Sequence, residues 1–272
     1  ADADAYRSQL DASGVFRVTA PSAAATAVLA PFKAAKDALG TQVAGVASDN
    51  LCLRRVPGAK RDVTRSSLGD VCNKDATVIA HGGDIQQLVA DAFLEQGQRF
   101  GGADISLQNA GGVRIDIPAG DITVGKVYTL LPFKNTLYRL QLTGAQVRAA
   151  LEDGIDSVLN GTGSGAYPYT GGLRFSVDMN QARGSRIGNP EVRDASGNWQ
   201  PLDPAANYRL ITNNFTADGG DRYDTLKAIP AAQREDTFLD YADSFLQYVR
   251  SRSPLAKPAV AGRSTQSYVE TP

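Results

Sequence analysis

The chain has 272 residues, 42% of them hydrophobic and 21% charged, with 28 Lys and Arg against 29 Asp and Glu for a net charge of -1. That length suits one large domain or two small ones with a core of ordinary size. The balanced charge excludes broad attraction to nucleic acid polymers or anionic lipid, so an anionic ligand must be held by a few placed cations, and no apolar run approaches the length of a membrane span.

In chain order, the opening "ADADAYRSQLDASG" is polar and lacks the charged and apolar regions of a signal peptide, as expected of a mature or trimmed chain. "AAATAVLAPFKAAKDALG" predicts a helix that Pro31 kinks or starts and Gly40 stops. Cys52 and Cys72 bracket a charged loop, and their isolation beside a single His excludes a Cys/His zinc site. Paired, they close a loop worth roughly 3 kcal/mol and imply an oxidising compartment; unpaired, they are two buried thiols. "DIQQLVADAFLEQ" spaces Ile85, Leu88, Val89, Ala92 and Phe93 as a helix, with Asp84 and Gln87 expected as cap and reciprocal partner.

The strand-like "DISLQ" then runs into Asn109, Gly111-Gly112 and Arg114. An amide there can pair donor and acceptor with a base edge or hydroxyl, and an Arg beside a glycine turn can fork onto a phosphate or carboxylate; an exposed Arg on a plain turn is the alternative. Phe133 follows Pro132 between a helix-like segment and the alternating strand "TLYRLQL". "TGAQVRAALEDGI" repeats the helix-start device, with Thr143 and Gln146 ahead of Val147, Leu151 and Ile155. "GTGSGA" lacks the strand and helix of a dinucleotide loop and predicts a flexible connection.

"LRFSVDM" alternates, with Leu173, Phe175, Val177 and Met179 inward. "EVRDASGNWQPL" predicts a hairpin and "NYRLIT" a further strand. In "NNFTADGGDRYDTL", Phe215 and Asp221 flank Gly219-Gly220, a pair that permits a tight turn or a close approach. "DTFLDYADSFLQYV" predicts a helix with Phe238, Ala242, Phe245 and Val249 on one stripe, and the Pro- and Ser-rich stretch 251–272 a tail that wraps the surface or frays. Helices and strands interleave without a repeat, which predicts a mixed α/β or α+β fold.

Phe133 or Phe215 alone is expected in a core, but two rings from separate loops can hold a planar ligand by stacking on both faces. Paired carboxylates for glycoside cleavage and a serine elbow are both missing. The sequons at Asn160 and Asn214 are expected unused, since a glycan beside Phe215 would obstruct such a pocket.

"NAGGVR", "LPFKN", "LTGAQVRAALEDGI", "YPYTGGLRF" and "NNFTADGGDRYDTL" in that order resemble the C-terminal domain of the 5'-nucleotidase family, over about residues 41 to 250. The resemblance implies an α+β domain of layered α/β/β/α type with mixed sheets, which recognises a small-molecule nucleotide or nucleoside. It implies that Phe133 and Phe215 sandwich the base, that Asp221 accepts from the ribose, and that Asn109 and Arg114 contact the nucleoside and phosphate side. Periplasmic or secreted localisation goes with it.

Family members carry a further Arg just ahead of the helix that begins here at Asp84, where this chain shows "VIAHGGDIQQL". His81 then stands as a pH-dependent phosphate contact or as a His satisfied within a loop, with Arg54 or Arg55 as other cations within reach. Hydrolysis in the family belongs to an N-terminal metallophosphoesterase domain built around two metal ions. With one His and no "GNHE"-like segment, this chain is expected to hold no metal and to be inactive alone, residues 1–40 being a connector to that domain. A stand-alone nucleoside-binding module, or an interaction domain without a ligand site, are the other readings.

Overall fold

Capping residues and apolar alternation place most elements where the sequence predicts them. The structure, a computed structural model, describes residues 3–15, 19–161 and 163–271. They form two units, residues 1–42 and 43–272. The first holds α1 (Ala3–Ala12) and α2 (Ala23–Gly40). Ser22 caps α2 by accepting from the amide of Ala25, and the helix runs on through Pro31 to Gly40.

In the second unit, β1 (Val43–Ala47), α3 (Asp70–Asn73), α4 (Ala76–His81), α5 (Asp84–Arg99) and β2 (Ile105–Asn109) come first. Next are β3 (Gly120–Thr123), α6 (Val124–Leu130), β4 (Thr136–Thr143) and α7 (Gly144–Asn160). Then follow β5 (Pro168–Gly171), β6 (Leu173–Asp178), β7 (Ile187–Arg193), β8 (Trp199–Pro201) and β9 (Asn207–Asn213). The last are α8 (Asn214–Ala217), α9 (Asp224–Lys227), β10 (Arg234–Asp240), α10 (Tyr241–Arg252) and β11 (Thr265–Val269).

The fold class is α+β. A five-stranded sheet runs β10-β4-β9-β2-β5, a four-stranded sheet β11-β6-β7-β8, and β1 pairs with β3. Within the larger sheet β2 and β9 are parallel, and the remaining pairs are antiparallel. Both faces of that sheet are covered. Leu140 and Leu210 join Val147, Leu151 and Ile155 of α7 in one core, while Leu137 and Ile211 join Phe93 of α5 and Phe245 of α10 in another. A strand covered on both faces buries every residue, and all five residues of β2 are buried.

Thr143 and Gln146 make the expected reciprocal cap on α7. The α5 start differs from expectation. Gly83, not Asp84, occupies the cap position, and no side chain caps the helix. Asp84 is wholly buried, accepts from the Cys52 amide and pairs with the equally buried Arg263. Gln87 donates to the Thr170 carbonyl and accepts from the Ser264 amide. Both side chains are therefore spent on tertiary contacts. Phe238 also departs from its predicted helical stripe: it lies in β10 at 82% exposure, and the helix starts only at Tyr241, capped by Asp240.

The largest departure is the segment after residue 251, expected as a surface tail. Arg263, Ser264 and Thr265 are buried, and β11 pairs in parallel with β6. The polar composition that suggested a frayed end serves a buried hydrogen-bond network instead.

Removing one partner of a buried ion pair leaves an uncompensated charge. Arg263→Met is therefore expected to lower unfolding free energy in urea by about 3–5 kcal/mol, and a loss under about 1 kcal/mol would mean that the segment contributes little. Burial also pushes the Asp91 carboxyl up to about 7, against the Gln87 hydrogen bond and the nearby Arg193 and Arg263. The folded chain then keeps a proton that the unfolded chain releases near pH 4, so stability falls with rising pH through that window, by up to about 1.4 kcal/mol per unit, and levels off above about pH 7. Asp91→Asn should flatten that slope in urea titrations between pH 4 and 7.

Candidate ligand-binding site

The site begins with the parallel pairing of β2 and β9, which sets Ile105 beside Leu210 and Leu107 beside Thr212. Because the two strands point the same way, their carboxyl ends emerge together, the place where ligands settle in sheets of parallel strands. Asn109 ends β2 and Asn213 ends β9. The Asn213 amide donates to Asn109 Oδ1 at 3.0 Å and to Gln108 Oε1 at 3.1 Å, while its own Oδ1 accepts from the Thr216 amide and so starts α8. With Thr216 Oγ1 also on Asn109 Oδ1, the Asn109 amide can only turn its Nδ2 outward, where it donates to Asp221 Oδ2 at 2.7 Å.

Asp221 takes φ 56 and ψ 22, in the left-handed region that Asp tolerates better than most residues. The turn before it explains the glycine pair. Gly219 has φ +91, and a Cβ on Gly220 would lie 2.5 Å from the Phe215 ring. The ring of Phe215 thus lies on bare backbone, which allows it to stand beside Asp221. Gly111 plays a comparable part across the site, since a Cβ there would come within 3.0 Å of Gly165 Cα.

A cavity of about 380 Å³ opens at this point, walled by Asn109, Phe133, Phe215 and Asp221, by Arg55 and Arg114, and by Asn135 and the glycines. Phe133 and Phe215 are 46% and 45% exposed, and both line the cavity. The backbone amide of Phe133 donates to the Tyr241 hydroxyl at 2.8 Å, which holds the loop ahead of β4 in place. The Arg114 guanidinium lies 5.8 Å from the Phe133 ring centroid and donates to the Gly111 carbonyl.

Arg55 enters from the loop closed by the Cys52–Cys72 disulfide. Burial lowers the pKa of its guanidinium, nearby Arg114 lowers it further, and Asp62 and Asp221 oppose the shift. Its Nε is buried without a hydrogen-bond partner. Two guanidiniums, one with an unspent buried donor, suit an anion, and the Asp221 carboxylate lining the same cavity suits hydroxyl donors.

Five residues singled out from the sequence, Asn109, Arg114, Phe133, Phe215 and Asp221, therefore meet in one cavity. His81 does not join them. It ends α4, and its Nδ1 lies 2.9 Å from the Thr265 carbonyl. Arg55 stands in the cavity, whereas Arg54 is buried against Asp62 and the carbonyls of Val56 and Gly58. Sequence reasoning missed Asn135 and Asn213; the doubled Asn ahead of Phe215 was the one signal for Asn213. A wider hollow of about 560 Å³ lies elsewhere, beside Glu95, Asp104 and Trp199. Two of its carboxylates are engaged by arginines, Glu95 by Arg99 and Arg252 and Asp104 by Arg209, while Asp91 accepts from Gln87 and Asp194 from the Ser196 and Asn198 amides.

The profile of the "5'-nucleotidase, C-terminal domain" family matches residues 58–228. A Treponema pallidum protein named "Probable 5'-nucleotidase" is 35% identical over 229 residues, covering 82% of this chain and 36% of that protein. The solved 5'-nucleotidase precursor of Thermus thermophilus is 33% identical with a TM-score of 0.72, covering 91% of this chain and 43% of that one. The NAD nucleotidase of Haemophilus influenzae is 25% identical with a TM-score of 0.73, covering 97% and 44%. The chain thus spans less than half the length of each.

Gly220→Ala places a methyl inside the Phe215 ring, so the ring must leave its seat. A crystal structure of this variant should show Phe215 displaced, with about 1–3 kcal/mol lost from stability; an unmoved ring at parental stability would contradict the packing described.

Proposed function

The chain belongs to the 5'-nucleotidase C-terminal domain family, and on that premise we propose that its cavity binds a nucleotide. The base stacks between Phe133 and Phe215, Asp221 accepts from the ribose hydroxyls, and Arg114 and Arg55 receive the phosphate. The observation that carries this reading is the shared cavity: two half-exposed rings, an Asn-held carboxylate and two guanidiniums line one space.

Each group does what its chemistry allows. A phenyl ring offers a π-face to any base, at about 1–3 kcal/mol per stacked contact. A carboxylate accepts two hydrogen bonds and donates none, which suits a diol. Asn109 keeps that carboxylate in place while its oxygen is occupied by Asn213 and Thr216. Guanidiniums match phosphate oxygens in pairs.

Among the described residues no group of three or more His, Cys, Asp or Glu could hold a metal ion. From family membership, the reading assigns hydrolysis of the phosphoester to an N-terminal metallophosphoesterase domain of the same polypeptide. Two divalent ions there would supply an activated water and charge stabilisation. The Cys52–Cys72 disulfide supports a periplasmic or secreted setting.

Calorimetric titration of the 272-residue chain should show AMP binding more tightly than adenosine, and no phosphate release with added divalent metal. Phe133→Ala or Phe215→Ala should weaken both ligands by roughly 10- to 100-fold, and Arg55→Gln or Arg114→Gln should weaken AMP alone. Parental affinity in both phenylalanine variants would overturn the stacking assignment.

A further inference from the structure

Arg55 is held through its backbone. Its amide donates to Asp62 Oδ1 at 3.2 Å, and Asp62 also faces the buried Arg54. Asp62 thus fixes the Arg55 amide, beside the Tyr169 hydroxyl and the Gly83 amide that hold the preceding Arg54 carbonyl. Residues 58–62 in turn rest on the end of the chain. Gly58, at φ +78, lies so close to the Tyr268 ring that a Cβ would come within 2.8 Å of it. Arg61 Nε donates to Glu270 Oε1 at 2.6 Å, with Glu270 almost wholly buried, and the Tyr268 hydroxyl donates to the other oxygen of the same carboxylate at 3.0 Å. Lys60 Nζ donates to the Thr271 carbonyl.

Strand β11, which carries Tyr268 and leads directly into Glu270 and Thr271, is itself fixed at its start. Thr265 is buried, with its hydroxyl on Tyr167 and its carbonyl on His81. One continuous chain of contacts thus leads from β11 through Glu270 and Arg61 to Asp62 and the Arg55 amide.

We propose that Glu270 is a positioning residue for the anion end of the cavity: by latching Arg61 it holds the 58–62 segment, and with it Arg55, where the guanidinium meets the ligand's phosphate. This rests on the reading of the cavity as a nucleotide site. The latch makes phosphate affinity, and not base affinity, depend on the residue that follows β11.

The test uses Glu270→Gln and Arg61→Gln in the 272-residue chain, one variant at each end of the contact, with Arg55→Gln as reference. Calorimetry with AMP and adenosine is combined with amide hydrogen exchange at Arg55. The latch predicts AMP binding weakened about fivefold to tenfold, adenosine binding unchanged within about twofold, and faster exchange at the Arg55 amide with Phe215 and Asp221 unaltered. Parental AMP affinity and parental Arg55 exchange in both variants would overturn it. Equal weakening of both ligands with Arg55 exchange unchanged would overturn it too, marking a general loss of stability. If neither ligand binds the parent chain, the nucleotide reading falls and exchange alone decides the latch: faster exchange at Arg55 upholds the positioning role, and an unchanged rate removes it.

Discussion

The parallel alignment of β2 and β9 is the constraint from which the site follows. It brings two asparagines to the same end of the sheet, and Asn213 then has no choice but to bond Asn109. That bond sets the Asn109 amide, the amide sets Asp221, and Asp221 sits in a backbone conformation that needs such support. Unusual backbone angles persist where surrounding structure over-determines them. Here the surrounding structure is a fully buried strand and the cap of a short helix, neither of which can shift without opening a core.

Phe215 depends on the same frame. Its helix starts from the Asn213 cap, and its ring rests on Gly220 one turn further on. The opposite wall comes from elements that share no strand with it: Phe133 is tied to α10 by the Tyr241 hydroxyl, and Arg55 arrives on a disulfide-closed loop. A cavity assembled from so many elements is rigid only if each loop has its own anchor. The buried ion pair between Asp84 and Arg263 anchors the C-terminal segment, which in turn backs the Arg55 loop.

Where local chemistry decided the structure, the sequence was readable. The Thr143–Gln146 cap, the alternation of β6 and the hairpin about Gly197 involve neighbours within a few residues. Asp84 and Gln87 have the form of a helix start, yet their partners Arg263 and Ser264 lie at the far end of the chain, and no local pattern announces a pairing across that separation. Phe238 fits a helical stripe by spacing, but β10 claims it through pairing with β4, with a register shift between Asp236 and Asp240.

For the site, five residues were legible because the ordered motifs that carry them resemble one family's pattern, whereas either ring taken alone was expected in a core. Arg55 was visible only as one of two adjacent arginines. Its neighbour Arg54 is buried against Asp62, and sequence holds nothing to tell which of the pair faces the cavity. Of the two readings of His81, the structure agrees with a satisfied ring and not with a phosphate contact, since its Nδ1 meets the Thr265 carbonyl.

The central claim is geometric, and a crystal structure of the chain soaked with AMP tests it most directly. The account predicts a base lying flat between the rings of Phe133 and Phe215, ribose hydroxyls on the Asp221 carboxylate and phosphate oxygens on Arg55 and Arg114. Density for the nucleotide elsewhere, or in this cavity with the base away from both rings, would contradict it.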